Sequence, residues 1–315
     1  MPVSALNERH GSIAILGVFV ADAAYRATRQ PAMGETILGS SFVLGPGGKG
    51  SNQAVAAARC QACVSFISRL GQDAFAQMAF DMYKLEGIDT HIDQISDSYT
   101  GSAYIFIDDN SGDNAIIVCP GAASTINRAY IDSARSVIES ADVFVTQLEQ
   151  PIDAAEHALS IARHAGVTTI LNTAPAEAVS DSVFTLCDYV TPNETEVEAY
   201  TGVKVVSLAD AKTAGDVLLA KGVGTALITL GEQGALLHNA EQSVHIPAVN
   251  AGPVLETTGA GDAFNGAFAA ALAQKQSPVE AANFASVVAG LSVTRAGTAP
   301  SMPTRDEVDS LIARL

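Results

Sequence analysis

No run of lysine or arginine appears in this sequence, and its 17 basic residues face 34 acidic ones for a net charge of −17. A surface of that balance repels polyanions, so nucleic acid is not an expected partner, and an anionic small molecule needs local help from a lysine, a metal or an anion hole. Apolar runs are short: none reaches the ~20 residues needed to cross a bilayer, and Met1 to Gly11 is polar with no secretory core. No membrane partner and a cytoplasmic location are therefore expected. Cysteine is scarce, at four residues. Cys60 and Cys63 form a C-x-x-C, but no second pair or histidine cluster follows at zinc spacing, so reduced core thiols are expected rather than a metal or redox site. Two nucleotide signatures are also missing. No G-x-G-x-x-G follows the first apolar run, which sets a dinucleotide oxidoreductase aside. In Gly45-Pro46-Gly47-Gly48-Lys49-Gly50 a glycine follows the lysine, where a P-loop requires Ser or Thr.

What is present is a hydrophobic chain punctuated by glycine. With 48% hydrophobic and 16% charged residues, it is long enough for one large domain or two modest ones around a sizeable core. Its organising stretch is Glu256-Thr257-Thr258-Gly259-Ala260-Gly261-Asp262-Ala263-Phe264-Asn265-Gly266. Beyond the loop, Phe264, Ala267, Phe268, Ala271 and Leu272 recur at helical spacing, which predicts an amphipathic helix with Asp262 in its first turn. Glycines 259 and 261 leave backbone N–H groups uncovered at a helix start, a seat for a phosphate or a developing oxyanion. The adjacent carboxylate can take a proton from an attacking hydroxyl. The same residues also suit a plain turn with Asp262 as helix cap, and the loop alone leaves both readings open. A second glycine loop, from Gly45 to Asn52, feeds a helix of small residues over Ala54 to Arg59, with Ser51 or Asn52 placed to cap it. Close backbone approach, Lys49 and the Asn52 amide suit a polyhydroxylated ligand; a turn with an incidental lysine is the alternative.

The remaining pattern defines a fold. Ile13 to Val20 reads as a strand followed by Asp22, while Arg26 to Leu44, with Pro31, Gly34 and Gly39, reads as strands and loops outside the main layer. Val64 to Ser68 is a strand. Gln72 to Glu86 is a helix stopped by Gly87, with Phe75, Met78, Ala79, Met82 and Leu85 as its core face. Ser102 to Asp108 and Asn114 to Cys119 form a hairpin around Asp109-Asn110-Ser111-Gly112-Asp113, which pairs with the Arg26–Leu44 region in a small accessory sheet. From Asp142 strands and helices alternate: a strand at Val143 to Val145, a helix over Pro151 to His164, and strands at Val167 to Leu171 and Thr225 to Leu230. That rhythm predicts an α/β fold with a mostly parallel sheet covered on both faces. Glu149, Asn193, Glu196, Gly231 and the Gly259–Asp262 loop all fall where a strand hands over to a helix, so they converge on one site.

Four segments resemble, in order, the ribokinase-like (PfkB-type) carbohydrate kinases: Gly47 to Ala58, Thr191-Pro192-Asn193-Glu194-Thr195-Glu196, Ile228-Thr229-Leu230-Gly231, and Thr257 to Gly266. The resemblance runs from about Ile13 to Arg314. It implies a three-layer α/β/α body of residues 1–18, 46–96 and 120–315, with a small β-sheet lid of residues 19–45 and 97–119. It also implies transfer of the γ-phosphate of ATP to the primary hydroxyl of a pentose, D-ribose first among them. By that match Asp262 is the base and Gly259, Ala260 and Gly261 are the anion hole. Asp22, Gly48, Lys49, Asn52 and Glu149 bind the sugar, with Ala103, Ile105 and Ile116 as apolar lid contacts. Asn193 and Glu196 stand near Mg2+ and the phosphates, and Thr229 and Gly231 contact the nucleotide. A K+ site is implied from the carbonyls of Thr258, Ser292, Arg295 and Gly297 and the side chains of Glu256 and Ser301, a set of hard oxygens. A homodimer through the lid is implied as well.

Two positions depart from the family pattern. Val20 stands where an asparagine precedes the sugar-binding aspartate by two residues, and losing that amide favours a substrate lacking the hydroxyl it would meet. Glu256 replaces the usual aspartate of the cation site. The alternatives are accordingly a family enzyme acting on a deoxypentose, a ketohexose or a nucleoside, and, from another class, a sugar-binding sensor without catalysis.

Overall fold

The computed structural model describes residues 11–315; the reading of the polar start from Met1 falls, up to residue 10, outside the described residues. Its strands are β1 Ser12–Leu16, β2 Val20–Ala27, β3 Ser41–Gly47, β4 Cys63–Leu70, β5 Asp89–Gln94, β6 Thr100–Asp108, β7 Asn114–Gly121, β8 Val143–Thr146, β9 Thr168–Leu171, β10 Tyr189–Val190, β11 Thr225–Thr229, β12 Ala235–Asn239 and β13 Ser243–Ile246. Its helices are α1 Lys49–Arg59, α2 Ala74–Glu86, α3 Arg128–Ser133, α4 Arg135–Glu139, α5 Ile152–His164, α6 Asp181–Phe184, α7 Glu194–Thr201, α8 Leu208–Ala220, α9 Ala260–Ala273, α10 Pro278–Ser292 and α11 Arg305–Ile312.

Short apolar runs become strands buried on both faces because helices cover both. The main sheet is 9-stranded, in the order β13-β12-β11-β10-β9-β8-β1-β4-β5. It is parallel from β11 to β5 and ends in the antiparallel hairpin β12–β13. One core cluster packs α1, α2, α9, α10 and α11 on one face; a second packs α3, α5, α7 and α8 on the other. The result is the expected three-layer α/β/α architecture. A separate 4-stranded sheet, β3-β2-β6-β7, stands apart as the lid. Among the described residues no helix is long and apolar enough to cross a membrane.

Several local expectations are corrected. The strand expected over Ile13 to Val20 is two: β1 stops at Leu16, and Val20 opens β2 in the other sheet. The break falls at Gly17, which packs so tightly on α1 that a Cβ there would lie 2.7 Å from the Gly50 Cα. On α2 the buried residues are Ala76, Ala79 and Tyr83, whereas Leu85 is exposed, so the core face is rotated from the expected stripe. Helix α9 is buried nearly all round rather than along one stripe, because α1 and α10 flank it closely. Cys60 is a buried free thiol as expected, but Cys63 is exposed.

Candidate active site

The glycine loop before α1 brings its side chains together by close backbone contact. Gly48 holds φ +91° with the Val18 carbonyl 2.5 Å from where a Cβ would sit, and a Cβ on Gly47 would lie 2.0 Å from the Asp22 carboxylate. Helix α1 then starts at Lys49, not at Ala54, and Gly48 is its N-cap without a side-chain bond. Ser51 and Asn52 are therefore inside the helix rather than capping it. Both are buried: Ser51 accepts from the Tyr83 hydroxyl at 2.9 Å, and Asn52 reaches across to α9.

That contact settles what Asp262 is not. It occupies the first turn of α9 but makes no capping bond; Gly259, in the left-handed conformation at φ +84°, is the N-cap. Instead Asn52 Nδ2 donates to Asp262 Oδ2 at 2.9 Å and Gln53 Nε2 donates to Oδ1 at 3.1 Å. The Ala260 amide bonds the Thr257 carbonyl at 3.1 Å, whereas the amides of Thr257, Thr258, Gly259, Gly261 and Asp262 have no partner among the described residues. Beside Gly261 a Cβ would meet nothing within 4 Å, which leaves room for a ligand. Burial pushes the Asp262 carboxyl above the usual range, opposed by the Lys49 charge and by the Asn52 and Gln53 amides.

The strand ends supply the rest. Asn193 and Glu196 form a capping box on α7: Asn193 Oδ1 accepts from the Glu196 amide at 2.8 Å, and Glu196 Oε2 accepts from the Asn193 amide at 3.0 Å. Glu196 Oε1 also accepts from Asn193 Nδ2 at 3.0 Å, and Oε2 from Thr173 at 3.3 Å. Glu149 Oε2 accepts from the Lys49 backbone amide at 2.8 Å. Burial, with the Asp262 charge adding to it, raises Asp22 to about 6; burial raises Glu149 to about 7 against the pull of Lys49. Burial alone would lower Lys49, but the carboxylates of Asp262, Glu149 and Glu196 outweigh it, and its pKa ends above the ordinary value. Lys49, Asn193, Glu196, Thr229, Gly259, Gly261 and Asp262 line one cleft of about 200 Å³. A larger hollow of about 420 Å³ lies at the opposite ends of β9, β10 and β11, and none of the expected site residues lines it.

Strand pairing sets Asp22 opposite Ala103 and Ile105 opposite Ile116, so these lie on one face of the lid, with Ala103 buried and Ile116 exposed. Gly231 opens the turn after β11, at φ +53°. At the expected cation site, Glu256 Oε2 accepts from the Gly297 amide at 2.9 Å, tying the two loops together. Within the second loop the Ser292 carbonyl accepts from the Arg295 amide at 3.1 Å, and the Ser301 hydroxyl donates to Thr298. The residues missed in the sequence are amides: Gln53, Gln147, Asn172 and Asn265 form a buried network beneath Asp262. A signal existed, since Gln147 and Asn172 are polar residues directly following apolar strands at the same sheet edge as Glu149.

A sheet covered by helices on both faces, with a glycine-loop cleft at its strand ends under a small β lid, is a scaffold suited to transferring a group between two small ligands. Residues 11–305 match the pfkB family carbohydrate kinases, and the chain belongs to that family. It is 39% identical over 297 residues to a ribokinase of Haemophilus influenzae, covering 94% of this chain and 96% of that one. It is 34% identical to a deoxyribokinase of Salmonella typhi, covering 96% and 98%. Among solved structures, an Arabidopsis thaliana ribokinase complexed with ribose and ATP superposes with a TM-score of 0.89 at 28% identity, covering 96% of this chain and 98% of that one.

Proposed function

We propose that this carbohydrate kinase moves the γ-phosphate of ATP onto the primary hydroxyl of a pentose, giving D-ribose 5-phosphate from D-ribose. The observation that carries the reading is the convergence on one cleft of a buried carboxylate, Asp262, with Lys49 and the open amides after Gly259. The ribokinase relatives support ribose as the acceptor. In this mechanism the sugar hydroxyls donate to Asp22 and Glu149 and accept from Lys49 and Asn52, with the Gly48 backbone against the ring. Ala103, Ile105 and Ile116 close over it and exclude water. Asp262 takes the proton of the primary hydroxyl as that oxygen attacks the γ-phosphorus, and ADP leaves. Lys49 and the amides of Gly259 and Gly261 stabilise the charge in transit, the Ala260 amide being held by the Thr257 carbonyl, while Thr229 and Gly231 seat the nucleotide.

Magnesium, when bound, neutralises charge on the nucleotide phosphates. Asn193 and Glu196 fit it through water, because both Glu196 oxygens are already held by Asn193 and Thr173. For potassium, the Glu256 carboxylate and the Ser301 hydroxyl, with the carbonyls of Thr258, Ser292, Arg295 and Gly297, supply oxygen donors of the right hardness. The enzyme acts in the cytoplasm as a homodimer through the lid. Tyr25 and Phe42 (ring centroids 4.8 Å apart) and Tyr104 (5.7 Å from Tyr25) form an exposed aromatic patch there, and among the described residues β3 and β7 are the edges of the sheet.

A second reading, 2-deoxyribose as the acceptor, is favoured by Val20: it is buried, two residues from Asp22 on the same strand face, and offers no hydrogen bond there. Initial rates of ADP release with ribose, 2-deoxyribose, fructose and a nucleoside, in potassium and then in sodium, test both. Ribose as the best acceptor supports the first reading, and deoxyribose as the best replaces it with the second. No phosphorylation of any acceptor overturns both and leaves a sensor.

A further inference from the structure

The two oxygens of Asp262 are held by different amides of α1. Asn52, which holds Oδ2, leaves its own Oδ1 buried without a partner among the described residues, so its hydrogen bonding is open to change when a ligand arrives. Gln53, which holds Oδ1, is fully buried and has its polar atoms committed. Its Oε1 accepts from Gln147 Nε2 at 2.7 Å, and its Nε2 donates to Asn172 Oδ1 at 3.1 Å as well as to Asp262. A flipped amide would turn Oε1 toward two oxygen acceptors, so one orientation is enforced. The network then returns to its start. Asn172 Nδ2 donates to the Thr191 carbonyl at 3.1 Å, the Thr191 hydroxyl donates to Asn265 Oδ1 at 2.6 Å, and Asn265 Nδ2 donates to the Gly261 carbonyl at 2.8 Å. Helix α1 and the ends of β8, β9 and β10 are thus tied to the first turn of α9.

We propose that Gln53 is a positioning residue for phosphoryl transfer: anchored by Gln147 and Asn172, it fixes the plane of the Asp262 carboxylate and keeps an N–H on Oδ1 while the sugar hydroxyl loses its proton. The inference rests on the reading of Asp262 as the base. Burial draws the Asp262 carboxylate toward its protonated form, in which it cannot accept a proton, against the pull of the Lys49 charge and of the Asn52 and Gln53 amides. A fixed donor opposes that drift. Gln53 does this from a fully buried position outside the lining of the cleft, which its anchor Asn172 reaches.

The test compares Gln53→Met, Gln147→Met and Asp262→Asn in the full chain, measuring kcat and KM for ribose between pH ~5.5 and ~9. Gln53→Met is expected to lower kcat about 10- to 100-fold, the scale of other groups that orient a reacting ligand, with sugar KM changed less than about twofold. The acid limb of kcat is expected to move to higher pH. Gln147→Met, which touches Gln53 but not Asp262, is expected to move both in the same direction by less. A purely structural role would lower thermal stability without moving the limb. A wild-type kcat and limb in folded Gln53→Met, or in Gln147→Met where the first does not fold, overturns the proposal. Asp262→Asn separates the two layers. Near-normal turnover in it removes the base and the proposal together, whereas its loss of activity beside normal glutamine variants removes the positioning role alone.

Discussion

The nine-stranded and four-stranded sheets are made of similar residues and meet solvent in opposite ways. All four residues of β8, Val143 to Thr146, are buried, whereas in β7 Ile116, Ile117 and Val118 are 51%, 63% and 53% exposed. Each would read as an apolar strand. The difference lies in the neighbours, since helices cover the large sheet on both faces and leave much of the small one bare. At roughly 25 cal/mol per Å² of apolar surface, the small sheet carries a penalty that only other molecules relieve. Strand register divides that surface: Ile116 shares the face of Ile105, Ala103 and Asp22, while Ile117 lies opposite Tyr104, on the face of Tyr25 and Phe42. In the proposed enzyme one face meets sugar and the other a second copy. The body's apolar strands are covered by its own helices; in the proposed enzyme those of the lid are covered by ligand and by a second copy.

That contrast can be broken one half at a time. In the body, Asp262→Asn is expected to reduce turnover by ~10² to 10⁴, the range for losing a general base, with sugar KM nearly unchanged. Steady-state rates of ADP release read this directly, and near-normal turnover would mean the buried carboxylate is structural. In the lid, Phe42→Asp puts a charge into the aromatic patch and is expected to raise the dissociation constant of the proposed dimer ~10²-fold or more, as for a central interface aromatic. Sedimentation at micromolar protein distinguishes the outcomes. A variant that remains dimeric places the interface elsewhere and leaves the outer face of the lid without a role.

What the sequence made legible follows the same division between local and distant causes. The start of α9 could be read because its glycines and acid are contiguous, and the α7 junction because Asn193 and Glu196 stand at capping-box spacing. Gln53 could not be read, because its meaning depends on residues 94, 119 and 209 positions away, in Gln147, Asn172 and Asp262. Local reasoning offered Ser51 or Asn52 as a cap, and only α9 packing beside α1 turns Asn52 toward Asp262. On α2, periodicity chose the face of Phe75, Met78, Ala79, Met82 and Leu85, which is adjacent to the one that is buried. Phe66 and Phe19, with ring centroids 5.1 and 6.4 Å from that of Tyr83, decide that Tyr83 is inside and Leu85 outside. The two sheets were separated in the sequence by giving the β6–β7 hairpin a layer of its own, although the hairpin β12–β13 shows that an antiparallel pair can close the edge of the mostly parallel sheet.

A smaller effect sharpens the contrast by locating, inside the body, an incompleteness like that of the lid. Burial holds Glu149 at about 7, up from an ordinary 4.5, so between those values the folded protein binds more protons than the unfolded chain. Stability from this group is therefore fully present at acid pH and is lost as pH rises through about 7. Asp22, raised from 3.8 to about 6, acts in the same direction over a lower window. Glu149→Gln removes the ionisation while keeping an acceptor for the Lys49 amide. It is expected to stabilise the ligand-free protein by about 1–3 kcal/mol at pH ~8 and by little at pH ~5, judged by denaturant midpoints. The same change takes away a charged acceptor for a sugar hydroxyl, and sugar KM is expected to rise about tenfold at neutral pH. In the wild type, sugar affinity should weaken as pH falls below about 7, where Glu149 takes up its proton. Gain of stability with loss of affinity in one substitution would show that the body, too, holds a charge arrangement that the sugar completes. Loss of both would mean that Glu149 is already satisfied by Lys49 and that the lid alone waits for its ligand.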